Sequence, residues 1–373
     1  MTNKYILFDM DGVLLEPNGY HKSLQKCVNL FGNALGVPNT NLKPEHIADF
    51  EAMGITNEWD SLAICTAIIL IHSWKFDPNI RFKGIQPLPP VTETPPDFDD
   101  FLNHFTEDDN LPGLSAFDFL EKEHKHLNRA QSNHLYTILA KCRDIYQSLI
   151  QPIYQETVLG SDFFQNTYNL TPKLHIESYL EKYDRPILND LEIRKLHDWI
   201  KQTEHYVGIM TNRPSQAPDG LPSPPEAEIG AKLVNLDHVP LIGSGYLGWY
   251  AKEHCNLPAH SLLKPNSVHT LALLQMCNGE LINDALSLAN ALWKNRNDNS
   301  SWQFLDNAII YIFEDSVKGL QSGMNAVDLL AKLGLTINIH LIGVASEASK
   351  ITSLKQTTPK VIRTIREFDW NVI

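Results

Sequence analysis

The chain opens with an unbroken apolar run, Tyr5-Ile6-Leu7-Phe8, that stops at two carboxylates, Asp9 and Asp11, with Gly12 directly after them. Runs of the same character recur at 205–211 (HYVGIMT), 309–314 (IIYIFE) and 339–345 (IHLIGVA), with 239–243 (VPLIG) as a further candidate. Apolar positions without alternation fit strands buried on both faces of a parallel sheet. Helical spacing separates these runs. Residues 188–202 place Leu191, Leu196 and Ile200 on one face behind a cap at Asn189 or Asp190, and 316–332 follow the run ending at Glu314. Strands alternating with helices predict an α/β fold, a doubly wound, Rossmann-like core built on a parallel sheet.

Between the first run and the second the pattern changes. Helical candidates lie at 21–35, 57–74, 129–150, 162–168 and 175–183, and the apolar stretch 62–71 is too short to span a bilayer and reads as a buried helix. The chain therefore reads as a core of residues 1–17 and 187–373 interrupted by an inserted, mostly helical domain, 18–186. Two proline-rich stretches, 86–96 and 214–225, predict extended loops.

Composition narrows the function classes. At 373 residues with a 43% apolar share, the chain has enough material for a large core and two domains. A formal charge of −13 argues against broad binding to nucleic acid or an anionic membrane, and leaves room for a small anionic ligand held by local cations. The cysteines (Cys27, Cys65, Cys142, Cys255, Cys277) are scattered and odd in number, with no C-x-x-C pair, so neither a zinc site nor a disulfide framework is expected. A reducing cytoplasm is the expected location. Asp9 and Asp11 interrupt the first apolar stretch, which does not read as a signal peptide.

The chemistry concentrates at the ends of the predicted strands, where open α/β sheets bind ligands. Residues two apart on a strand project to one side, so Asp9 and Asp11 can share a small site. Like charges that close call for a divalent cation, leaving one carboxylate to attack an electrophile and the other to move a proton. An acidic turn is the bland alternative. The second strand ends in Thr211-Asn212-Arg213-Pro214, the late one in Glu314-Asp315-Ser316 with Gly319 beyond, and Leu263-Lys264-Pro265 lies between. Thr211-Asn212 taken alone suits a helix cap, Lys264 alone a solvated lysine, and Glu314-Asp315 alone an acidic turn.

Together, in this order, these residues resemble the four motifs of the haloacid dehalogenase superfamily, in the helical-cap phosphatase branch related to phosphoglycolate phosphatase and beta-phosphoglucomutase. DMDGV matches the first motif, Thr211 the second, Lys264 the third, and Glu314-Asp315 with Gly319 the fourth. The resemblance implies that Asp9 attacks phosphorus to form an aspartyl-phosphate. Asp11 would protonate the leaving oxygen and then take a proton from water. Mg2+ would be held by Asp9, the Asp11 backbone carbonyl, Asp315 and Glu314, the last directly or through water. Thr211, Asn212 and Lys264 would bind the phosphate, with Lys264 also serving the nucleophile. Asp11 favours phosphoryl transfer over dehalogenation, since the dehalogenases of the family lack that carboxylate.

The expected activity is magnesium-dependent hydrolysis of a small phosphorylated metabolite. A sugar phosphomutase is the first alternative, and a non-catalytic phospholigand-binding or regulatory protein is the alternative from another class. Arg213 either reaches the substrate or pairs with a carboxylate of the cap. In the cap, Thr56 or Asn57 caps the apolar helix and Trp59 packs in its core, or else Asn57 and Trp59 face the substrate. Two departures stand out. Asp315 follows Lys264 by 51 positions, with 280–306 reading as an inserted helix and loop, and the cap is large for this branch.

Overall fold

A computed structural model describes residues 2–55, 57–106, 111–296 and 299–370. The chain divides into two compact units, one of residues 1–17 and 184–373, the other of 18–183. The first unit is built on strands β1 (Lys4–Phe8), β4 (His205–Met210), β5 (Leu241–Ile242), β6 (Ile309–Glu314), β7 (Asn338–Val344) and β8 (Val361–Ile362), with a small ribbon of β2 (Leu15–Glu16) and β3 (Arg185–Pro186). The six-stranded sheet has the order β5-β4-β1-β6-β7-β8 with every pairing parallel, while β2 and β3 pair antiparallel. Phe8 lies level with Ile209 on one neighbour and Phe313 on the other.

Alternation along β1 explains why its sequence shows none. Tyr5 and Leu7 enter a core formed with helices Ser244–Cys255, Ser267–Cys277, Ile282–Trp293 and Val317–Ala331. Ile6 and Phe8 enter the opposite core, with helices Asp190–Ile200 and Glu226–Leu233. Both faces are covered, so both sets of positions must be apolar. This is a doubly wound, Rossmann-like α/β core, as the strand pattern predicts. Helix Asp190–Ile200 begins at an Asn189 cap reinforced by Glu192. Its buried face is Ile193, Leu196 and Trp199, whereas Leu191, assigned to that face from its spacing, is exposed. The stretch 280–306 does hold an added helix, Ile282–Trp293, which packs on Ser267–Cys277 and is followed by a 3-10 turn at Ser300–Leu305.

The second unit is helical. Helix Glu58–Trp74 is buried nearly all round, and packs against Asn18–Ala34, Pro112–Glu123 and Arg129–Ala140. The helix expected over 129–150 stops at Ala140, and a separate helix, Gln151–Leu159, begins beyond it. In the intervening turn Arg143 donates to Asp60 at 3.0 and 2.6 Å, a long-range tie with no local signature. The 175–183 pattern shortens to Tyr179–Tyr183. Helices Pro44–Ala52, Phe98–His104 and Pro112–Glu123 were not foreseen. Among the described residues no helix is long and apolar enough to cross a membrane.

Candidate active site

Three central parallel strands, β4, β1 and β6, deliver the site at their carboxyl ends. Beyond Phe8 the chain continues in sheet register, with the Asp9 amide donating to Phe313 O at 2.9 Å, and then turns. Gly12 takes φ +74° and donates to Leu15 O at 2.8 Å. A side chain at Gly12 would also place its Cβ 2.8 Å from Asp315 Oδ2, so only glycine suits both the backbone angle and the space. Thr211 directly follows β4, whose Ile209 is level with Phe8.

On the other side of β1, strand β6 ends in fully buried Glu314, followed by Asp315. Ser316 caps helix Val317–Ala331. Its hydroxyl accepts from the Gly319 amide at 3.1 Å and donates to Glu314 Oε2 at 2.8 Å, while its own amide donates to that same oxygen at 3.1 Å. Lys264, in the loop before Ser267–Cys277, reaches into this cluster. Its ammonium donates to Asp9 Oδ1 at 2.6 Å and to Glu314 Oε1. Carboxylate oxygens of Asp9, Glu314 and Asp315 lie within 4.8 Å of one another.

The electrostatics follow from burial. Desolvation pushes the Asp9 carboxyl well above its usual range; Glu314 adds to the rise and Lys264 pulls against it. Asp315 is pushed up to about 6, chiefly by desolvation and then by Glu314, while Lys350 at 3.2 Å opposes the shift. Desolvation alone would lower Lys264, but Asp9 and Glu314 outweigh it and hold the ammonium above its ordinary value. Three carboxylates thus share two ammoniums, buried Lys264 at Asp9 and Glu314 and the more exposed Lys350 at Asp315. The donor set is all oxygen and short of positive charge, which fits a hard divalent cation such as magnesium or calcium rather than a softer metal.

The sequence matches no family model and no curated protein sequence. Among solved structures, the X-ray structure of Northeast Structural Genomics Consortium target ZR25 is similar at TM-score 0.65 and 17% identity, over 98% of this chain and 97% of that one. The likeness is one of fold. The phosphatase Tt82 from Thermococcus thioreducens aligns at TM-score 0.46 and 11% identity, over 91% of this chain and 92% of that one.

The remaining expected residues fall into three groups. Asp11 is beside the cluster, and its side chain is turned to Arg213: Nε donates to both carboxylate oxygens at 2.9 and 3.0 Å and Nη2 to Oδ1 at 2.5 Å. Arg213 is buried and also bonds Asp184 at 2.9 Å, so its charged head is held by carboxylates rather than presented to solvent. Asp184 falls within the stretch expected to be the insertion, yet it belongs to the first unit. Thr211 is buried, and its hydroxyl accepts from the Arg213 amide at 3.1 Å, closing a local turn. No helix starts there, so the helix-cap reading does not describe it; the next helix is Glu226–Leu233. Asn212 is exposed.

Asn57 and Trp59 belong to the second unit. Asn57 sits at the cap position of Glu58–Trp74 without a side-chain cap bond, Trp59 is half-buried, and Thr56 lies outside the described residues. Sequence reasoning missed Asp184, Lys350 and the capping role of Ser316. Only Ser316 had a local signal, a cap residue three before a glycine amide at the start of an apolar helix.

Proposed function

We propose that this chain is a phosphatase of the haloacid dehalogenase type, hydrolysing a small phosphomonoester through an aspartyl-phosphate. The observation that carries the reading is the buried Lys264 ammonium bonded to both Asp9 and Glu314, within a carboxylate cluster at the carboxyl end of a parallel sheet. Asp9 would attack phosphorus, forming the carboxylate oxygen–phosphorus bond as the ester oxygen–phosphorus bond breaks. Asp11 would hand a proton to the departing alkoxide, and in the second step take one from the water that displaces Asp9 from phosphorus. Lys264 would neutralise charge on the phosphoryl oxygens, and Thr211 would contribute its hydroxyl and the amides that follow it.

Asp9, Glu314 and Asp315 are the side chains that would hold magnesium, with the Asp11 carbonyl as a further oxygen. When bound, the ion would supply the positive charge that the cluster lacks, favouring the carboxylate form of Asp9 and the negative phosphate beside it. A panel of phosphomonoesters, assayed for phosphate release with magnesium and with chelator, tests the proposal. Expected are magnesium-dependent release by the wild type and its loss in D9N. Release that ignores the chelator, or full activity in D9N, would refute it.

A further inference from the structure

Asp11 is the group on which both proton transfers of the proposed reaction depend, and its surroundings do not resemble those of Asp9. The Asp11 side chain is 33% exposed, whereas those of its partners Arg213 and Asp184 are 2% and 0% exposed. Asp184 accepts from Arg213 Nη2 at 2.9 Å, on the side of the guanidinium that also meets Asp11 Oδ1. The planar fork of arginine fixes direction as well as charge, which an ammonium on a flexible stem does not. With Asp184 anchoring the head, Arg213 is not free to follow Asp11 out into solvent. The two Asp11 oxygens are held unequally: Oδ1 accepts from both Nε and Nη2, while Oδ2 shares only Nε, at 3.0 Å. Oδ2 therefore keeps the greater lone-pair capacity.

From this geometry we infer that Arg213, anchored by buried Asp184, is a positioning residue that holds the Asp11 carboxylate in register and leaves Oδ2 to exchange the proton. The inference rests on the phosphatase reading and deepens it. It also separates two uses of an arginine beside a phosphate site. An arginine that bound substrate would offer its head to the ligand, whereas this head is buried between two carboxylates. Asp184 lies 29 residues before Arg213 and directly precedes β3, so the anchor is supplied by the segment that pairs with β2 just after the Asp11 turn.

The test is a double-mutant cycle on p-nitrophenyl phosphate with magnesium, whose readily departing phenolate keeps an Asp11 variant measurable. In the wild-type background R213Q should lower kcat by about tenfold or more, within the range that general acid–base groups supply, with KM changed by less than about threefold. In a D11N background R213Q should cost less than about twofold, because there is no longer a carboxylate to hold. D184N should follow the same pattern at smaller amplitude, and decides the matter if R213Q does not fold. Equal loss in both backgrounds, a loss carried by KM, or unchanged kcat in R213Q would overturn the inference. A wild-type protein that releases no nitrophenol would instead overturn the phosphatase reading, and this inference with it.

Discussion

Two helix glycines of the first unit should respond to alanine with opposite signs. Gly248 lies within Ser244–Cys255, where an added Cβ would meet Ala259 Cβ at 3.4 Å, an ordinary contact. G248A should therefore keep most of the helix-propensity gain of glycine to alanine, about 0.5–1 kcal/mol. Gly319 lies in the first turn of Val317–Ala331, where the same Cβ would overlap the Glu314 carboxylate. That carboxylate is fully buried and accepts from Lys264, the Ser316 amide and the Ser316 hydroxyl, so it cannot swing aside without breaking bonds. A hydrogen bond to a charged group is worth about 1.5–3 kcal/mol, so loss of one or two, less the propensity gain, leaves G319A destabilised by about 2–4 kcal/mol. Urea unfolding reads both variants on the transition of one unit, at the midpoint with the slope compared. The clash also predicts its own rescue: in an E314A background, G319A should cost nothing further. A G319A midpoint at or above that of G248A, or an undiminished penalty without the Glu314 side chain, would refute the reasoning.

Three further outcomes follow from the buried charges. K264M leaves Asp9 and Glu314 without their ammonium and should cost about 3–5 kcal/mol in urea unfolding near neutral pH, less in mild acid where protons replace the lysine; an unchanged midpoint would contradict the pairing. His269 is fully buried and lowered from 6.5 to about 3, first by desolvation and then by Lys264. Because the unfolded chain takes up that proton first, the stability it lends above 6.5 drains away as pH falls toward 3, by up to about 1.4 kcal/mol per pH unit. H269N should remove this component, so urea midpoints of wild type and variant should converge on acidification; parallel pH curves would refute it. Magnesium at millimolar concentration should raise the melting temperature, more at about pH 7.5 than at about pH 5, since protons compete for Asp315, whose carboxyl sits at about 6. No shift, or an equal shift in D315N, would count against the proposed metal set.

The sheet was legible because its strands obey one rule. Tyr5, Leu7, Ile6 and Phe8 enter cores on opposite faces, and a run that must be apolar on both sides shows up without any knowledge of its partners. Elements whose formation depends on distant contacts did not show up. The end of Arg129–Ala140 coincides with a turn tied to Asp60, 83 residues away from Arg143. Leu191 satisfied helical spacing yet faces solvent, because Ile193, Leu196 and Trp199 present a better stripe to the sheet. The candidate site divides along the same line. Asp9, Glu314 and Asp315 announce themselves by ending apolar strands, and Thr211 by its position after one. Lys264 carries no local sign beyond its place between those motifs, and its burial becomes apparent only with the carboxylates around it.

Burying Asp9 and Glu314 beside the partly buried Asp315 is costly, and the surrounding residues are arranged to offset that cost. Lys264 answers Asp9 and Glu314 directly. The amino end of Val317–Ala331 lies just beyond Asp315, and its Ser316 cap bonds Glu314 rather than closing on the helix alone, so helix capping and carboxylate placement are one set of hydrogen bonds. Gly12 and Gly319 then keep side-chain volume away from Asp315 and Glu314. A fold selected only for stability would replace the cluster with apolar side chains of similar volume, which commonly leaves stability unchanged or improves it. Four charged groups, a shared cap and two glycines instead hold acidic oxygens within 4.8 Å of one another at the strand ends. That combination is what the proposed cation-assisted reaction at Asp9 would require, and packing alone does not account for it.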